Sequence, residues 1–237
     1  MQRLVVIPTY NEVGSIEILL TGILKTIKNL DILVVDGGSN DGTAQVVARI
    51  VNLEPRVNLI LEGAKRGLGK AYLAGFEWGL ERGYEKIIEM DADLSHRVRD
   101  LSRLLEVEAD LVIGNRWIVG GGIENWSKSR ELLSRTANKY VQFMLKLDVS
   151  DATSGFRVYH ADLLCKVDLK SIKSEGYTFQ IEMVRAARKV GAEIVEVPII
   201  FREREFGISK ISRAIVLEAF FRVTYWGLKR IGGGGGI

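Results

Sequence analysis

The run Asp91-Ala92-Asp93 carries the clearest chemistry in the sequence. It follows an apolar stretch, residues 86–90, that predicts a buried β-strand. Side chains two positions apart on a strand point to the same side, so both carboxylates would lie together at the strand's end. Such oxygen ligands suit a Mg²⁺ or Mn²⁺ ion, which can bridge a diphosphate. The run therefore predicts a divalent-metal site at the end of a rigid element.

Polar residues that follow two other apolar stretches predict a nucleotide site. Tyr10 stands where the first predicted strand meets a helix, and its ring could stack on a base. Asp36 ends the second predicted strand and could accept hydrogen bonds from a base or a ribose. We assign Asp41 instead to capping the next helix. The first strand–helix turn has no glycine-rich loop, which argues against an NAD site.

Basic residues recur around these acidic segments. Arg116 follows a predicted strand end, and Arg204 and Lys210 flank a predicted turn. The arginine fork matches the oxygens of phosphates, so these three are the best candidates for binding a diphosphate or phosphate. We assign no role to His96 or His160. The other basic residues near the acidic segments are Lys65, Arg66, Lys70, Arg130, Arg157 and Arg202.

The elements that would hold these residues alternate between strands and helices. Short apolar runs predict strands buried on both faces, and amphipathic stretches between them predict helices, which together indicate a mostly parallel sheet. Polar or glycine-rich clusters follow every run, at the sheet edge where α/β proteins bind ligands. We expect one domain over 1–231, with a nucleotide-binding half 1–117 and an acceptor half 118–231, followed by a flexible glycine-rich tail over 232–237. The five runs are residues 4–7, 32–35, 57–61, 86–90 and 111–113.

The second half predicts a less regular arrangement. Its first helix would place Leu132, Leu133 and Val141 among the residues of its apolar side. Pro198 interrupts the last predicted strand, which favours an edge position or a bend. The last helix mixes aromatic and basic residues, which suits either core packing or a bilayer interface. The predicted elements are helices over 126–147, 177–190 and 208–231, and strands over 154–159 and 194–201.

Composition limits the possible classes of protein. The chain has 237 residues, 47% of them hydrophobic and 27% charged, so we expect a folded core rather than disorder. A formal net charge of +3 excludes a strongly basic nucleic-acid binder. The one cysteine, Cys165, excludes an internal disulfide and indicates a reducing, cytoplasmic compartment. No uncharged apolar stretch approaches about 18 residues, so no membrane-spanning helix is predicted.

Taken together, the motifs resemble those of family 2 glycosyltransferases of the GT-A fold, and most closely the polyprenyl- or dolichyl-phosphate mannose synthases. The resemblance covers nearly the whole chain, and its Asp-Ala-Asp-Leu-x-His and Thr-Ser-Gly-Phe-Arg runs are similar to those of the lipid-phosphate branch. It implies an α/β fold with a mostly parallel central sheet flanked by helices and a C-terminal amphipathic helix. The six runs that carry it are residues 7–12, 35–43, 90–96, 114–117, 154–157 and 206–210.

The resemblance implies a metal-dependent, inverting transfer of mannose from GDP-mannose to dolichyl or polyprenyl phosphate. Asp91, Asp93 and Arg116 would be catalytic, and Ser95 would join the two aspartates around a Mg²⁺ or Mn²⁺ ion. The resemblance also implies peripheral contact with the cytoplasmic face of a membrane, allows a membrane-protein partner, and involves no nucleic acid. For the acceptor phosphate we predict Arg130, Arg157 and Ser209. The nucleotide-sugar site would comprise Pro8, Tyr10, Glu12, Val35, Asp36, Asp91, Ala92, Asp93, Arg116, Arg204 and Lys210.

Three other functions stay open at this point. Gly37 stands where relatives commonly have a second Asp, so UDP-glucose or another UDP-sugar could replace GDP-mannose as the donor to a polyprenyl phosphate. A nucleotidyltransferase also uses metal-held carboxylates, but it releases pyrophosphate. A non-catalytic nucleotide-binding module would bind the nucleotide without transferring a sugar.

A lipid phosphate is anionic at neutral pH and, as the nucleophile, needs no strong general base. This fits a sequence without a convincing histidine base.

Overall fold

The computed structural model describes residues 2–63, 67–204 and 213–232, and within them seven strands form one sheet. The strands are β1 (Arg3–Thr9), β2 (Asp31–Asp36), β3 (Val57–Leu61), β4 (Lys86–Glu89), β5 (Leu111–Asn115), β6 (Gly122–Glu124), β7 (Arg157–His160), β8 (Ile194–Pro198) and β9 (Ile200–Arg202). Their order across the large sheet is β3-β2-β1-β4-β7-β5-β8. Every pairing in it is parallel except the two that β7 makes, which confirms the mostly parallel sheet predicted from the sequence.

Helices cover both faces of this sheet. The described helices are α1 (Ile16–Thr26), α2 (Thr43–Val51), α3 (Leu68–Glu81), α4 (Val98–Leu105), α5 (Lys128–Leu145), α6 (Ala161–Lys166), α7 (Gly176–Lys189) and α8 (Arg213–Gly232). Leu4 and Val6 of β1 belong to a core shared with α3, α5, α6, α7 and α8. Val5 and Ile7 belong to a second core with α1, α2 and α4, because alternate residues of a strand face opposite sides. The predicted α/β arrangement of a central sheet flanked by helices is thereby confirmed.

Small residues let α3 lie close to the centre of the sheet. A Cβ atom added to Gly75 would lie 2.3 Å from Cγ1 of Val6, and one added to Gly79 would lie 2.8 Å from Cδ1 of Ile87. Larger side chains would push the helix away from β1 and β4. This close approach also brings Tyr72 of α3 to the carboxyl end of β4, where its hydroxyl meets Asp91.

Gly75→Ala is expected to destabilise the fold by roughly 1–3 kcal/mol, because the added methyl group overpacks the contact with Val6. Gly22→Ala on α1 is the matched control, since a Cβ at Gly22 would meet Val98 at an ordinary 3.5 Å. That variant should gain up to about 1 kcal/mol from the better helix propensity of Ala. Urea unfolding of both variants measures the difference. Equal stability of the two would contradict the packing argument.

The structure corrects the predicted strand over 194–201. It is two strands in different sheets: β8 pairs with β5 at the edge of the large sheet, and β9 pairs with β6 in a separate two-stranded sheet. Pro198 is the last residue of β8, and its missing N–H costs no bond to β5, because the next residue, Ile199, donates its N–H to the carbonyl oxygen of Asn115 at 2.9 Å. The predicted bend at this proline is confirmed. The strand β6 and the helices α4 and α6 were not predicted.

The helices α5 and α8 bury only part of their apolar residues, and for α5 this differs from the prediction. Leu132 and Leu133 of α5 were predicted on its apolar side, yet they are 66% and 57% exposed. Val141 of the same helix is buried, as predicted, and faces the core. On α8 Val223 is buried, while Phe221 and other apolar residues remain exposed. Within the described residues no helix combines the length and the hydrophobicity needed to cross a bilayer.

Candidate active site

A cleft of about 340 Å³ opens at the carboxyl edge of the sheet. Residues that follow β1 and β4 line it together with residues from the first turns of α3, α5 and α7 and from β9. The polar clusters at the strand ends therefore meet in one place, as predicted from the alternating pattern. The predicted site residues that line the cleft are Pro8, Tyr10, Glu12, Asp91, Ala92, Asp93, Arg116, Arg130 and Arg204.

Asp91 and Asp93 both line this cleft just beyond the end of β4. Burial, and after it the charge of Asp93, raise the pKa of the Asp91 carboxyl to about 7. The hydroxyl of Tyr72 donates a hydrogen bond to Oδ1 of Asp91 at 3.3 Å, and Nη2 of Arg204 lies 3.3 Å from Oδ2 of Asp93. The chain then turns tightly, because Leu94 adopts a left-handed conformation with φ of 64°. The two carboxylates are thus held in fixed positions in which they repel each other.

The carboxylate pair fits a divalent cation. When one carboxylate raises the pKa of another, a cation bound between them stabilises both ionised forms. In the part of the chain that the structure describes, no group of three or more His, Cys, Asp or Glu side chains could hold a metal ion. The protein would therefore supply Asp91 and Asp93, and water or phosphate oxygens would complete the coordination. Mg²⁺ is commonly bound in this way, through one or two carboxylates and the phosphates of a substrate.

His96 contacts the Asp91–Asp93 segment from the interior of the protein. Its ring is buried and stacks on Phe156, with the ring centroids 4.7 Å apart. Burial lowers the pKa of His96 to about 4, so the ring is neutral at physiological pH. Its Nδ1 atom accepts a hydrogen bond from the backbone N–H of Asp91 at 3.2 Å. His96 is therefore a positioning residue, a role that its place in the Asp-Ala-Asp-Leu-x-His run does not by itself indicate.

Arg116 is a fixed cation in the wall of the cleft. Its Nε and Nη2 atoms donate to the two carboxylate oxygens of Asp151 at 2.7 and 2.6 Å. Burial is the largest single influence and acts to lower the pKa of Arg116, but the charge and hydrogen bonds of Asp151, together with nearby acidic groups, outweigh it and the net shift is upward. Among the described residues no group accepts from Nη1, so this side of the fork can donate to an anion in the cleft. Three rings surround the guanidinium, those of Trp117, Trp126 and Phe201.

Arg130 and Trp126 form the side of the cleft next to α5. The guanidinium of Arg130 lies 4.0 Å from the centroid of the Trp126 ring and pairs with Glu203. Trp126 meets Phe201 edge to face, with centroids 5.4 Å apart. A cation and an aromatic surface therefore lie side by side here. This combination suits an anionic group attached to an apolar chain.

Residues at the start of α7 complete the cleft, and the sequence did not reveal them. Glu175 accepts a hydrogen bond from the backbone N–H of Gly69 at 2.9 Å and so ties α7 to α3. Tyr177 and Gln180 line the cleft, and Nε2 of Gln180 donates to Glu89 at 2.8 Å. No strand-end cluster marks this segment. Its position depends on the packing of α7 against α3, which sequence spacing does not reveal.

Arg157, predicted to contact the acceptor phosphate, lies in the interior instead. Its side chain is fully buried and donates to the carbonyl oxygens of Ala152, Ser154 and Gln180, each at 2.8 Å. These bonds hold the segment around Ser154 that lines the cleft, but Arg157 itself does not line it. The reason is its place on β7, which lies between β4 and β5 in the middle of the sheet. We therefore remove Arg157 from the candidate acceptor site.

Three further predicted residues lie beside the cleft rather than in its lining. Val35 is fully buried within β2. Asp36 accepts a hydrogen bond from the hydroxyl of Thr9 at 2.8 Å and stabilises the loop that follows β2. The backbone N–H of Ser95 donates to Asp93 at 3.1 Å, and Ser95 is buried outside the lining, so its assignment as a metal ligand is not supported. Lys65, Arg66, Ser209 and Lys210 lie outside the described residues.

Asp41 has a structural role at the start of α2, as predicted, but the N-cap residue is Gly42, one position later, and Asp41 lies outside the cleft lining. Its Oδ1 atom accepts hydrogen bonds from the backbone N–H of Thr43 at 3.0 Å and from the Thr43 hydroxyl at 2.6 Å. The other carboxylate oxygen accepts from the backbone N–H of Val13 at 3.1 Å. These bonds lower the pKa of Asp41 against the opposing effect of burial, which is the larger single influence. Asp41 thus joins the start of α2 to the loop that follows β1.

The sequence matches a described family and is similar to two named relatives. The family is Glycosyl transferase family 2, matched over residues 4–167. A polyprenol monophosphomannose synthase from Mycolicibacterium smegmatis is 45% identical over 232 residues, which cover 96% of this chain and 88% of that protein. An undecaprenyl-phosphate mannosyltransferase from Micrococcus luteus is 47% identical over 230 residues, which cover 96% of this chain and 95% of that protein.

Solved structures share the fold at low sequence identity. A glucosyl-3-phosphoglycerate synthase from Mycobacterium tuberculosis, in complex with Mn²⁺, UDP-glucose and phosphoglyceric acid, has a TM-score of 0.65 and 18% identity, over 94% of this chain and 79% of that one. A mannosyltransferase from Pyrobaculum calidifontis, in complex with GDP-mannose and Mn²⁺, has a TM-score of 0.58 and 17% identity, over 100% of this chain and 66% of that one. At these identities the likeness concerns the fold alone. By its family match and its two relatives, the chain belongs to glycosyl transferase family 2 and is a glycosyltransferase with the GT-A fold.

Proposed function

We propose that the chain transfers a mannosyl group from GDP-mannose to a polyprenyl phosphate, with Mg²⁺ or Mn²⁺ as cofactor and with inversion at the anomeric carbon. The observation that carries this proposal is a cleft that sets two carboxylates, Asp91 and Asp93, among three arginines, Arg116, Arg130 and Arg204. Carboxylates hold a cation and arginines bind phosphates, so one cleft can take a diphosphate and a phosphate monoester together. The names of the two relatives support the mannosyl group and the polyprenyl phosphate.

The donor would occupy the part of the cleft between β1 and the aspartate pair. Tyr10 follows the end of β1 and lines the cleft, and its ring would stack on the base. Asp91 and Asp93 would hold the cation, which when bound supplies positive charge to the diphosphate as it leaves. Arg204, paired with Asp93 at 3.3 Å, adds a further positive charge on the same side. This part of the cleft would therefore stabilise the leaving group.

The acceptor phosphate would enter beside Arg130 and Trp126. Arg130 supplies charge for the phosphate, and the rings of Trp126 and Phe201 supply apolar surface for the first part of the lipid chain. An oxygen of the acceptor phosphate forms the new bond to the anomeric carbon of mannose. The bond from that carbon to the diphosphate breaks, and its electron pair leaves with GDP. Attack from the side opposite to the leaving group inverts the anomeric carbon.

The proposed reaction needs no general base, and the position of the histidine in the cleft is consistent with this. A phosphate monoester is already an anion at neutral pH, so no proton has to be removed before it attacks. The histidine that lines the described cleft, His96, is buried and accepts a bond from the Asp91 N–H. The arginines around the cleft would instead orient the nucleophile and offset its charge.

A transfer assay tests the proposal directly. Radiolabelled GDP-mannose and UDP-glucose are each incubated with the protein, polyprenyl phosphate and Mn²⁺, and the lipid product and the released nucleotide are measured. We expect label from GDP-mannose in the lipid fraction, with one GDP released for each mannose transferred. A thermal-shift panel of GDP-, UDP- and dTDP-sugars with and without Mn²⁺ should show the largest shift for GDP-mannose with Mn²⁺.

Each competing function predicts a different result in these assays. Label transferred from UDP-glucose but not from GDP-mannose would replace the donor in our proposal. Release of pyrophosphate would indicate a nucleotidyltransferase. A thermal shift with GDP-mannose but no transfer to any polyprenyl phosphate would indicate a module that only binds the nucleotide.

A further inference from the structure

A short loop between α5 and β7, residues 150–154, fixes the guanidinium of Arg116 through one buried carboxylate. Asp151 is fully buried, and its Oδ2 atom accepts hydrogen bonds from the backbone N–H of Arg116 at 3.1 Å and from its Nε. Its Oδ1 atom accepts from Nη2, which also donates to the hydroxyl of Thr153 at 2.9 Å. A bidentate pair of this kind fixes the direction of a guanidinium as well as its distance. The loop therefore decides where the remaining Nη1 donors of Arg116 point.

The loop is held in turn by Glu196, a residue of β8 that the sequence did not point to. Its Oε1 atom accepts hydrogen bonds from the backbone N–H groups of Ser150 and Asp151 at 2.9 and 3.0 Å, and its Oε2 atom accepts from the Ser150 hydroxyl at 2.8 Å. The same carboxylate accepts from Nδ2 of Asn115, the last residue of β5, at 2.7 Å. Because β5 and β8 pair directly, this carboxylate belongs to the sheet itself. One side chain therefore joins the loop to the strand end that precedes Arg116.

Arg157 holds the other end of the same loop. Its guanidinium donates to the carbonyl oxygens of Ala152 and Ser154, each at 2.8 Å. Backbone N–H groups at the start of the loop thus bond to a carboxylate, and backbone carbonyl groups further along bond to a guanidinium. Hydrogen bonds to charged groups are stronger than those between neutral groups. A loop held at both ends in this way leaves Asp151 little freedom to move.

The contacts of Asp151 and Glu196 indicate an indirect role for both residues. Arg116 lines the cleft, whereas Asp151 and Glu196 do not, so each of them acts only through the groups to which it is bonded. A long arginine side chain has many rotamers, and ordering them when a ligand binds weakens binding. A guanidinium that is oriented beforehand needs no reorganisation when an anion arrives, and charges fixed in this way contribute most to catalysis.

We infer that Glu196 is a positioning residue for Arg116 and acts through Asp151. Glu196 holds the 150–154 loop on the end of β5, and the Asp151 carboxylate of that loop holds the guanidinium so that Nη1 is left for an anion in the cleft. This role deepens the proposed function and rests on it for the identity of the anion, a phosphate of the donor or of the acceptor. The orientation of Arg116 itself requires neither substrate.

NMR of ¹⁵N-labelled arginine side chains tests this orientation on the full chain without turnover. A guanidinium held by a bidentate carboxylate rotates slowly and gives separate Nη–H signals, whereas a mobile one gives an averaged signal. The signals of Arg116 are assigned by their absence from Arg116→Lys. We expect separate signals in the wild type, averaged ones in Asp151→Asn and broadened ones in Glu196→Gln. Glu193→Gln changes an exposed glutamate just before β8, so this matched control should keep the wild-type signals.

Guanidinium ion supplied in solution gives a second test. Arg116→Ala should lower transfer roughly 10²–10³-fold, and it leaves the Asp151 carboxylate and the rings of Trp117 and Trp126 around the empty position. Guanidinium chloride at about 50 mM, far below the concentrations that unfold proteins, should restore roughly tenfold of this loss, whereas sodium chloride should not. Arg116→Ala/Asp151→Asn should not respond, because the neutral amide lacks the second charged oxygen. Arg116→Ala/Glu196→Gln should need several-fold more guanidinium for the same recovery.

The two measurements separate failure of the positioning role from failure of the proposed function. Unchanged Arg116 signals in Glu196→Gln, or a recovery by guanidinium that ignores Asp151 and Glu196, would overturn the positioning role even if the wild type transfers mannose. The expected NMR signals without mannose transfer to any polyprenyl phosphate would leave the positioning role in place and refute the function. Should Glu196→Gln fail to fold, Ser150→Ala removes one of its bonds, and unchanged Arg116 signals in that variant would overturn the role in the same way.

Discussion

Replacement of Asp91 by Asn should lower the rate of mannosyl transfer by roughly 10²–10³-fold, the loss typical of removing one preorganised electrostatic group. The change keeps the shape of the side chain and removes one of the two charges proposed to hold the cation. Because burial raises the pKa of Asp91 in the free protein, its ionised form is unfavourable and loss of that charge should not unfold the chain. Steady-state transfer assays and the thermal shift produced by Mn²⁺ with GDP-mannose measure the two consequences.

Asp148→Asn is the matched control for this prediction. The Asp148 side chain is 91% exposed and lies outside the cleft, so the same chemical change should leave both transfer and the Mn²⁺-dependent shift as in the wild type. Full activity of Asp91→Asn would refute the metal assignment. Equal losses in both variants would mean that the effect does not arise at the cleft.

Arg157→Met should destabilise the protein by roughly 3–5 kcal/mol, the cost of removing one partner from a buried charged network. Three carbonyl oxygens would lose their donor, and the buried carboxyl of Glu89, whose pKa is raised to about 7 by burial against the opposing charge of Arg157, would lose its neighbouring cation. For a chain of this size we expect a fall in melting temperature on the order of 10 °C. Thermal and urea unfolding measure it.

The control for this second prediction is Arg188→Met. Arg188 is a partly exposed residue whose contact with Asp148 is 3.6 Å long, so its loss should change the free energy of unfolding by about 1 kcal/mol or less. If Arg157→Met were as stable as Arg188→Met, the buried network would have no structural role and an acceptor-binding role for Arg157 would return. At temperatures where Arg157→Met remains folded, it should still bind GDP-mannose, since Arg157 does not line the cleft.

The donor side of the cleft could be predicted because its signals are local. Asp91 and Asp93 follow an apolar run directly, and Tyr10 follows another, so the parallel arrangement of β1 and β4 is enough to bring them together. The alternation of buried strands and amphipathic helices likewise predicted the sheet before its strand order was known. In this part of the chain, the residues next to a predicted strand end are therefore the ones that line the cleft.

The acceptor side could not be predicted in the same way, because its residues are placed by distant contacts. Arg157 comes shortly after a polar segment that lines the cleft, residues 153–155, but the antiparallel pairing of β7 with β4 and β5 buries it. Glu175 and Gln180 reach the cleft only because α7 packs on α3. Leu132 was predicted to face the core, but it is exposed, since the pattern of one helix does not show which apolar side packs against the rest of the protein.

The position of β7 has a consequence for how the chain acquires its structure during synthesis. β4 and β5 never pair with each other, because β7, which is made later, lies between them. Until residues 157–160 have left the ribosome, both of these strands have an open hydrogen-bonding edge facing the gap. The strand that precedes the aspartate pair therefore becomes fully bonded only late in folding, and a truncated chain that ends before β7 should aggregate instead of forming a smaller stable unit.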